Sequence, residues 1–430
     1  MKRHPVFNSI VLWILVGLVT LLWGLAGLLL AVSATDKQDP LKADKAATVA
    51  GNSEFAFDLY AKLKEDPKVE EAGGNLFFSP YSISTALAMT WAGARGQTEK
   101  EMAKVLHFSL AQAKLHPAFA ALEKQLNADE EERGYELSIA NALWGQKGYG
   151  FLKDFMRLTK KNYGAGFKEV DFANPGQREE ARKRINKWVE KKTKKKIKDL
   201  IQPGIFNNLT RLVLTNAIYF KGDWAIEFDK DKTIDATFTI SADKLVTVPM
   251  MHHEDRFKYA ETPDLQILEL PYKKQELSMI IFLPAKIDGL AELEKSLTFK
   301  NINEWLGKLR KRKVIVLLPR FKMTTGPLEL KDILKSMGMK DAFSLPPIAD
   351  FSGMTGKKDL FISNVLHKAF VAVDEKGTEA AAATAVVMMK GGIDYQPVFR
   401  ADHPFVFLIK DNRSGSILFV GRVVNPATQA

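Results

Sequence analysis

The densest run of metal-ligating side chains in the sequence is His252, His253, Glu254 and Asp255. Adjacent residues on a strand or turn point apart, so these four do not converge on one ion and no metal site is expected. Cysteine is absent, which removes thiol nucleophiles, disulfides and cysteine metal sites together. No Gly-x-Ser-x-Gly elbow occurs, and no glycine-rich phosphate loop follows a strand. Ser79 stands before Pro80 and an apolar run, where a helix cap is a sound role for its hydroxyl. His367 lies in an apolar run beside Leu366 and reads as a buried core histidine. Neither enzyme chemistry nor a bound cofactor is expected from these residues.

The stretch that does stand out is 374–390, DEKGTEAAAATAVVMMK, because its composition suits two incompatible structures. Glu379 followed by Ala380, Ala381, Ala382 and Ala383 would sit comfortably in an exposed helix. With the period of two that a strand imposes, Thr378, Ala380, Ala382, Thr384, Val386 and Met388 share one uncharged face and Glu379 lies on the other. Small side chains there would let the segment slide between two existing strands. Gly377 supplies backbone freedom before it, and Gly391 and Gly392 end it.

The elements around this stretch carry long, specific patterns. Upstream, residues 361–384 read FISNVLHKAFVAVDEKGTEAAAAT, which resembles the hinge region of the serpin family; downstream, ADHPFVFLI and ILFVGRVVNP resemble that family's last two strands. NLFFSPYSISTALAMTWAGARGQTEKEMAKVLHF, residues 75–108, is a second strong resemblance: a short strand ends at Ser79, Pro80 opens a buried helix, and Gly96 breaks it before another. LTRLVLTNAIYFKGDW alternates and then runs apolar, as a central strand should, and its tail resembles the family's breach region at Trp224. LQILELPY and LSMIIFLPA are buried strands closed by Pro271 and Pro284, VIVLLPRFKM is another, and LKDILKSMGMKDAF is an amphipathic helix before the family-like ADFSGMT. Helices dominate the first half and strands the second, which argues for one α+β domain over 51–430 rather than alternating βαβ units.

With 430 residues and 46% hydrophobic content, the chain can bury one large core or two moderate ones. The formal charge of +11 favours solubility and attraction to polyanions without naming a partner. Residues 110–132 read as a helix ending in an acidic cluster. In serpins activated by heparin the matching helix is basic, and here it is not. The basic residues lie in the helix expected over 178–198, around Ile185, Trp188, Val189 and Ile197, and in the run KLRKRK at 308–313; charge runs of this kind usually solvate.

Between Pro5 and Thr35 no residue is charged, and Lys2 and Arg3 precede the gap. The apolar body from Ile10 to Val32 matches the roughly 20 residues that span a bilayer, while Val32, Ser33 and Ala34 offer small residues for a signal peptidase. Residues 1–35 are therefore expected to be a signal peptide or a retained membrane anchor. Either fate puts the domain outside, with 36–50 as a tether. Asn208 and Asn412 each begin a glycosylation sequon.

The serpin resemblance implies a fold of three β-sheets and about nine helices with an exposed reactive-centre loop. It implies an inhibitor of serine-type endopeptidases that acts as a suicide substrate and needs no cofactor, metal or nucleic acid. Ser79, Ser82, Asn216 and His367 would lie under the centre of the main sheet, Trp224 where the sheet first opens, and Glu375, Gly377, Thr378, Glu379 and Ala380 to Ala383 would be the hinge. Counting from Glu375 in the family register places the cut after Gly391, whose lack of a side chain gives a specificity pocket nothing to grip. Lys390 suits a trypsin-like pocket, so the expected bond is Lys390–Gly391, with Gly391–Gly392 as the alternative. A cysteine protease is a further possible target, and the chain is expected to act as a monomer. The runner-up reading is a serpin that binds or chaperones without trapping a protease; the third is a membrane-tethered hydrolase.

Overall fold

The computed structural model describes residues 40–127, 133–164, 167–378 and 396–428. Two compact units divide after Ala43, and apart from the start of the first helix all that is described belongs to the second. Helix α1 (Pro40–Leu63) begins earlier than the expected boundary at residue 51. Pro40 opens it and the alanines between 43 and 50 carry it on, both good helix formers in those places. Helix α2 (Pro67–Glu71) follows, and strand β1 (Leu76–Phe78) leads directly into α3 (Pro80–Trp91). Next come α4 (Gly96–Val105), α5 (Gln112–Asn127), β2 (Tyr135–Gln146), α6 (Lys153–Tyr163), β3 (Phe167–Val170), α7 (Pro175–Lys192) and β4 (Leu212–Asp223).

The second half opens on four strands: β5 (Ile234–Ser241), β6 (Lys244–Thr262), β7 (Leu265–Pro271) and β8 (Leu277–Pro284). Two helices, α8 (Leu290–Ser296) and α9 (Phe299–Lys308), lead to β9 (Arg310–Pro319) and β10 (Phe321–Glu329). Short α10 (Lys331–Ser336) and α11 (Ser352–Thr355) precede β11 (Ile362–Val373), β12 (Gly377–Thr378), β13 (Val398–Arg400), β14 (Phe405–Asp411) and β15 (Ile417–Val423).

The α+β architecture stands. Among the described residues there are eleven α-helices, several of a turn or two, where about nine were expected. Among the described residues hydrogen bonds join the strands into two networks, the larger one merging two of the three expected sheets. One has six strands in the order β10-β11-β4-β2-β3, with β12 on β4; the other has nine, running β1-β15-β14-β8-β7-β6-β9-β13, with β5 on β6. The merger comes from β6, a continuous strand of 19 residues. It pairs with β5 along its first part, with β9 from Met250 to Tyr259 and with β7 from Lys258 to Thr262, so two ladders become one.

Helix α3 lies between the two sheets, touching β2 and β4 on one side and β15 on the other, and all 12 of its residues are buried. Its start is fixed by sequence: Ser79 is the cap, its hydroxyl accepting from Ser82 N–H at 3.1 Å, and Pro80 fills the first turn where no N–H is needed. A second, smaller core forms where α7 lays Ala181, Ile185 and Val189 on the outer face of the six-stranded sheet, against Trp144, Val213 and Tyr219.

Candidate functional site

Two clusters occupy the six-stranded sheet, and both involve the pair β4 and β11. These strands are parallel neighbours from Ile362/Leu212 to Phe370/Tyr219. Beyond that rung they part. The next partners of β4 are Thr378, opposite Gly222, and Gly377, opposite Asp223, so β12 fills the gap as a strand antiparallel to β4. The chain reaches this gap through a tight hairpin in which Asp374 and Gly377 exchange both backbone hydrogen bonds, at 2.8 and 3.2 Å.

The first cluster crosses the middle of the sheet. Asn141 on β2 is the register partner of Asn216 on β4, which is in turn the partner of His367 on β11. All three meet the start of α3. Ser82 Oγ receives the Asn216 amide at 2.6 Å and itself donates to Asn141 Oδ1 at 3.0 Å; the Asn141 amide returns to the Ser82 carbonyl at 3.2 Å. Ser79 donates its hydroxyl to the Leu418 carbonyl on β15 at 2.6 Å, linking the two sheets. Ser79 N–H donates to His367 Nε2 at 3.2 Å, which leaves the proton on Nδ1, donated to Asn216 Oδ1. His367 is fully buried, and burial pushes its imidazole down to about 3, so it is neutral at any physiological pH. The cluster therefore locks β2, β4 and β11 to α3 without any charge.

The second cluster holds the gap. Trp224, just past the end of β4, stacks on Tyr272 with ring centroids 4.7 Å apart and donates its indole N–H to the Asp374 carbonyl at 2.9 Å. Its backbone N–H donates to the Lys376 carbonyl at 2.7 Å. The Thr378 hydroxyl meets the Tyr272 hydroxyl at 3.0 Å, and both side chains are buried. Glu375, only 2% exposed, accepts from Arg320 Nε at 2.6 Å and from the Thr233 hydroxyl. Burial alone would raise the Glu375 carboxyl. The Arg320 and Thr233 hydrogen bonds outweigh it and hold the group below the usual carboxylate range.

Ser79, Ser82, Asn216 and His367 thus meet in one network, and Trp224, Glu375, Gly377 and Thr378 in another. Glu379, Ala380, Ala381, Ala382, Ala383, Lys390, Gly391 and Gly392 lie outside the described residues, as do 1–39 and the acidic cluster expected after α5. Asn141, Thr233, Tyr272 and Arg320 were not picked out from sequence. Asn141 is a lone polar residue in an alternating strand whose partner only the cross-strand register reveals, and Thr233, Tyr272 and Arg320 meet Glu375 and Thr378 only once the hinge has folded back against them.

His252, His253, Glu254 and Asp255 lie on β6 and diverge: His253 packs between Phe228 and Phe257, and Glu254 pairs with Lys313. No group of three or more metal-ligating side chains converges among the described residues. No helix among them is long and apolar enough to cross a membrane. The run KLRKRK enters β9, where Arg312 pairs with Glu261 and Lys313 with Glu254.

The sequence profile of the serpin (serine protease inhibitor) family matches residues 50–426. The leukocyte elastase inhibitor of Xenopus laevis is 44% identical over 378 residues, spanning 86% of this chain and 97% of that protein. Among solved structures, uncleaved ovalbumin superposes with a TM-score of 0.78 at 31% identity, covering 88% of this chain and all of its own. Human thyroxine-binding globulin, solved with its hormone, gives 0.78 at 33% identity, covering 89% of this chain and 99% of its own. The chain belongs to the serpin family of serine protease inhibitors and is not an enzyme.

Proposed function

We propose that the protein is an inhibitory serpin that traps a serine protease as a suicide substrate. The observation that carries this reading is β12: the hinge has already turned into the gap where β4 and β11 part. If the segment after Thr378 kept the β12 register, Thr384 would come opposite Asn216 and Met388 opposite Leu212, the first residue of β4. The face sharing Thr378's side would bring only Thr, Ala, Val and Met inside. Every rung added would pair backbone groups along β4 and β11. The Asn216 to His367 contact is what such a strand must displace, and the Thr384 hydroxyl would arrive there as a replacement partner. Insertion of this kind adds a strand within a sheet whose two inner neighbours have parted.

The chemistry belongs to the target. Its serine oxygen would add to the Lys390 carbonyl, and the amine of Gly391 would leave as the ester forms. Insertion would then carry the acylated protease away before water completes hydrolysis. Lys390 favours a trypsin-like enzyme; the frog relative is named an inhibitor of leukocyte elastase, which makes Met388 or Met389 the second candidate. Thyroxine-binding globulin has the same fold and binds a hormone, so fold likeness does not separate trapping from binding. Hinge composition favours trapping. We assign 1–35 as a signal peptide or membrane anchor that places the domain outside the cytoplasm. The test is incubation with trypsin, elastase and chymotrypsin: a complex that survives denaturation supports inhibition, and cleavage without a complex supports the binding alternative.

A further inference from the structure

Three histidines are buried among the described residues: His116, His367 and His403. His367 uses both ring nitrogens, on Ser79 and Asn216, and His403 does the same, on Asp402 and the Pro284 carbonyl. His116 uses one. Its Nδ1 meets the Tyr163 hydroxyl at 2.6 Å, and its Nε2 is buried with no protein partner. A buried polar nitrogen in that state is uncommon and costs stability, so a plain core role does not account for it.

One arrangement of protons is favoured. Burial lowers the His116 imidazole to about 4 and raises the Tyr163 phenol, so both are uncharged at neutral pH. If Tyr163 donates to Nδ1, only the Nε2–H is left over. If Nδ1–H donated to Tyr163 instead, the phenol proton and the Nε2 lone pair would both lack partners, which is the costlier outcome. Nε2 therefore carries a hydrogen to give. The ring is held in place, with Trp91 and Tyr163 beside it at centroid distances of 5.9 and 5.8 Å.

His116 lines a crevice of about 430 Å³ between α5 and α6, within the range of small-molecule sites. Pro117 and Leu158 add apolar wall, and Pro117 interrupts α5 there because it has no N–H for the Ala113 carbonyl, which also lines the crevice. Its two cations differ in state. Arg157 is paired with Asp154 at 2.6 Å, whereas Lys161 is exposed and has no ion pair among the described residues.

We infer that the crevice between α5 and α6 binds a small amphipathic carboxylate, its oxygens taken by His116 Nε2–H and the Lys161 ammonium and its apolar body laid on Pro117 and Leu158. One neutral donor and one free cation match a single negative charge. A multiply charged ligand would have only Arg157, already held by Asp154, as a further partner. A cationic ligand would meet Lys161 with like charge, and a wholly apolar one would leave Nε2 unpaired. A lone water would satisfy Nε2 but would leave the apolar wall uncovered.

The test is calorimetric titration of the intact protein with decanoate, using decan-1-ol and decylamine as matched probes. Decanoate should bind as a single molecule per chain and roughly tenfold or more tightly than either. Lys161→Ala should weaken binding roughly threefold to fivefold, the worth of one exposed ion pair, and raised salt should remove the same share. His116→Phe keeps a ring in the core without a donor and should weaken binding roughly tenfold or more. Ala113→Phe, at an exposed position of the crevice, should block the site while sparing the core, so the inference stays testable if His116→Phe fails to fold. Lys286→Ala, on the separate crevice beside α8, should change nothing. No binding of decanoate, equal binding of decan-1-ol or decylamine, or undiminished binding by Ala113→Phe overturns the inference, as does an equal loss in Lys286→Ala. None of these readouts involves a protease, so this inference and the proposed function fail separately.

Discussion

Gly377 lies directly against Gly222: a Cβ built on Gly377 would come within 2.0 Å of the Gly222 carbonyl oxygen and 2.6 Å of Asp223 Cα. On Gly222, in turn, a Cβ would meet Tyr272 Cδ1 at 2.8 Å. The hinge glycine is therefore needed for close approach to β4 as much as for backbone freedom. That contact brings Thr378 under Tyr272 and sets the register from which any further strand would grow.

Thr378→Arg should convert the inhibitor into a substrate. Thr378 is fully buried, with its hydroxyl on Tyr272, and the charges about the hinge are already engaged, Glu375 by Arg320 and Asp223 by Lys273. An arginine there would bury an unpaired charge at a cost of roughly 3–5 kcal/mol, enough to expel β12 and slow insertion. The expected result is nicked serpin and active protease in place of covalent complex. An unchanged stoichiometry of inhibition would refute insertion along this face.

Cleavage within the loop should raise stability, although a chain break ordinarily lowers it. A nicked segment free to continue β12 along β4 would gain ladder bonds and bury its uncharged side. The midpoint of thermal unfolding should then climb by far more than the roughly 2–4 °C that 1 kcal/mol brings to a chain of this kind. The measurement is a melt of intact and nicked protein side by side. A nicked form that melts no higher than the intact one would mean the loop does not insert.

The central network should make stability depend on pH with a definite sign. His367 is held near 3 when folded, below its ordinary value of about 6.5, so the unfolded chain takes up the proton first. Its contribution is fully present above about pH 6.5 and is lost as pH falls towards 3, at about 1.4 kcal/mol per pH unit. Buried His116, lowered to about 4, adds to the same slope. Glu375, depressed by Arg320, acts in the same direction but lower, within and below the carboxylate range. Denaturant unfolding between pH 6.5 and 4.5 should show His367→Asn losing one proton's worth of slope relative to the unaltered protein. Equal slopes would show that His367 is not the group titrating.

What could be read from sequence divides along physical lines. Ser79 before Pro80, Gly96 between two helices and the prolines closing β7 and β8 are local signals, and the elements begin and end there. Asn141 was invisible because a single asparagine in an alternating strand acquires meaning only when the register sets it beside Asn216. Arg320 and Glu375 are 55 positions apart, and no local pattern pairs them. Two expected sheets became one because β6 continues unbroken through the chain around Pro249, a proline that composition would place at a strand end.

The position of the cut is the sharpest remaining prediction. In the β12 register the last residue that β4 can pair is Met388, opposite Leu212, so a bond two residues farther on lets the strand insert fully before the ester is strained. Lys390–Gly391 meets that condition and offers an ammonium to an acidic specificity pocket. Gly391–Gly392 meets it too but offers no side chain. A cut after Met388 or Met389 would suit an elastase-like or chymotrypsin-like pocket at the expense of slack beyond the strand's end. Mass spectrometry of the C-terminal fragment released from the complex should find a new terminus at Gly391. A terminus at Gly392 would leave the register intact and remove the case for trypsin, whereas one at Met389 or Lys390 would move the target to the elastase or chymotrypsin class. Lys390→Ala should, on the same reasoning, lower the rate of complex formation with trypsin by an order of magnitude or more, since roughly 1.4 kcal/mol of lost pocket binding is worth tenfold.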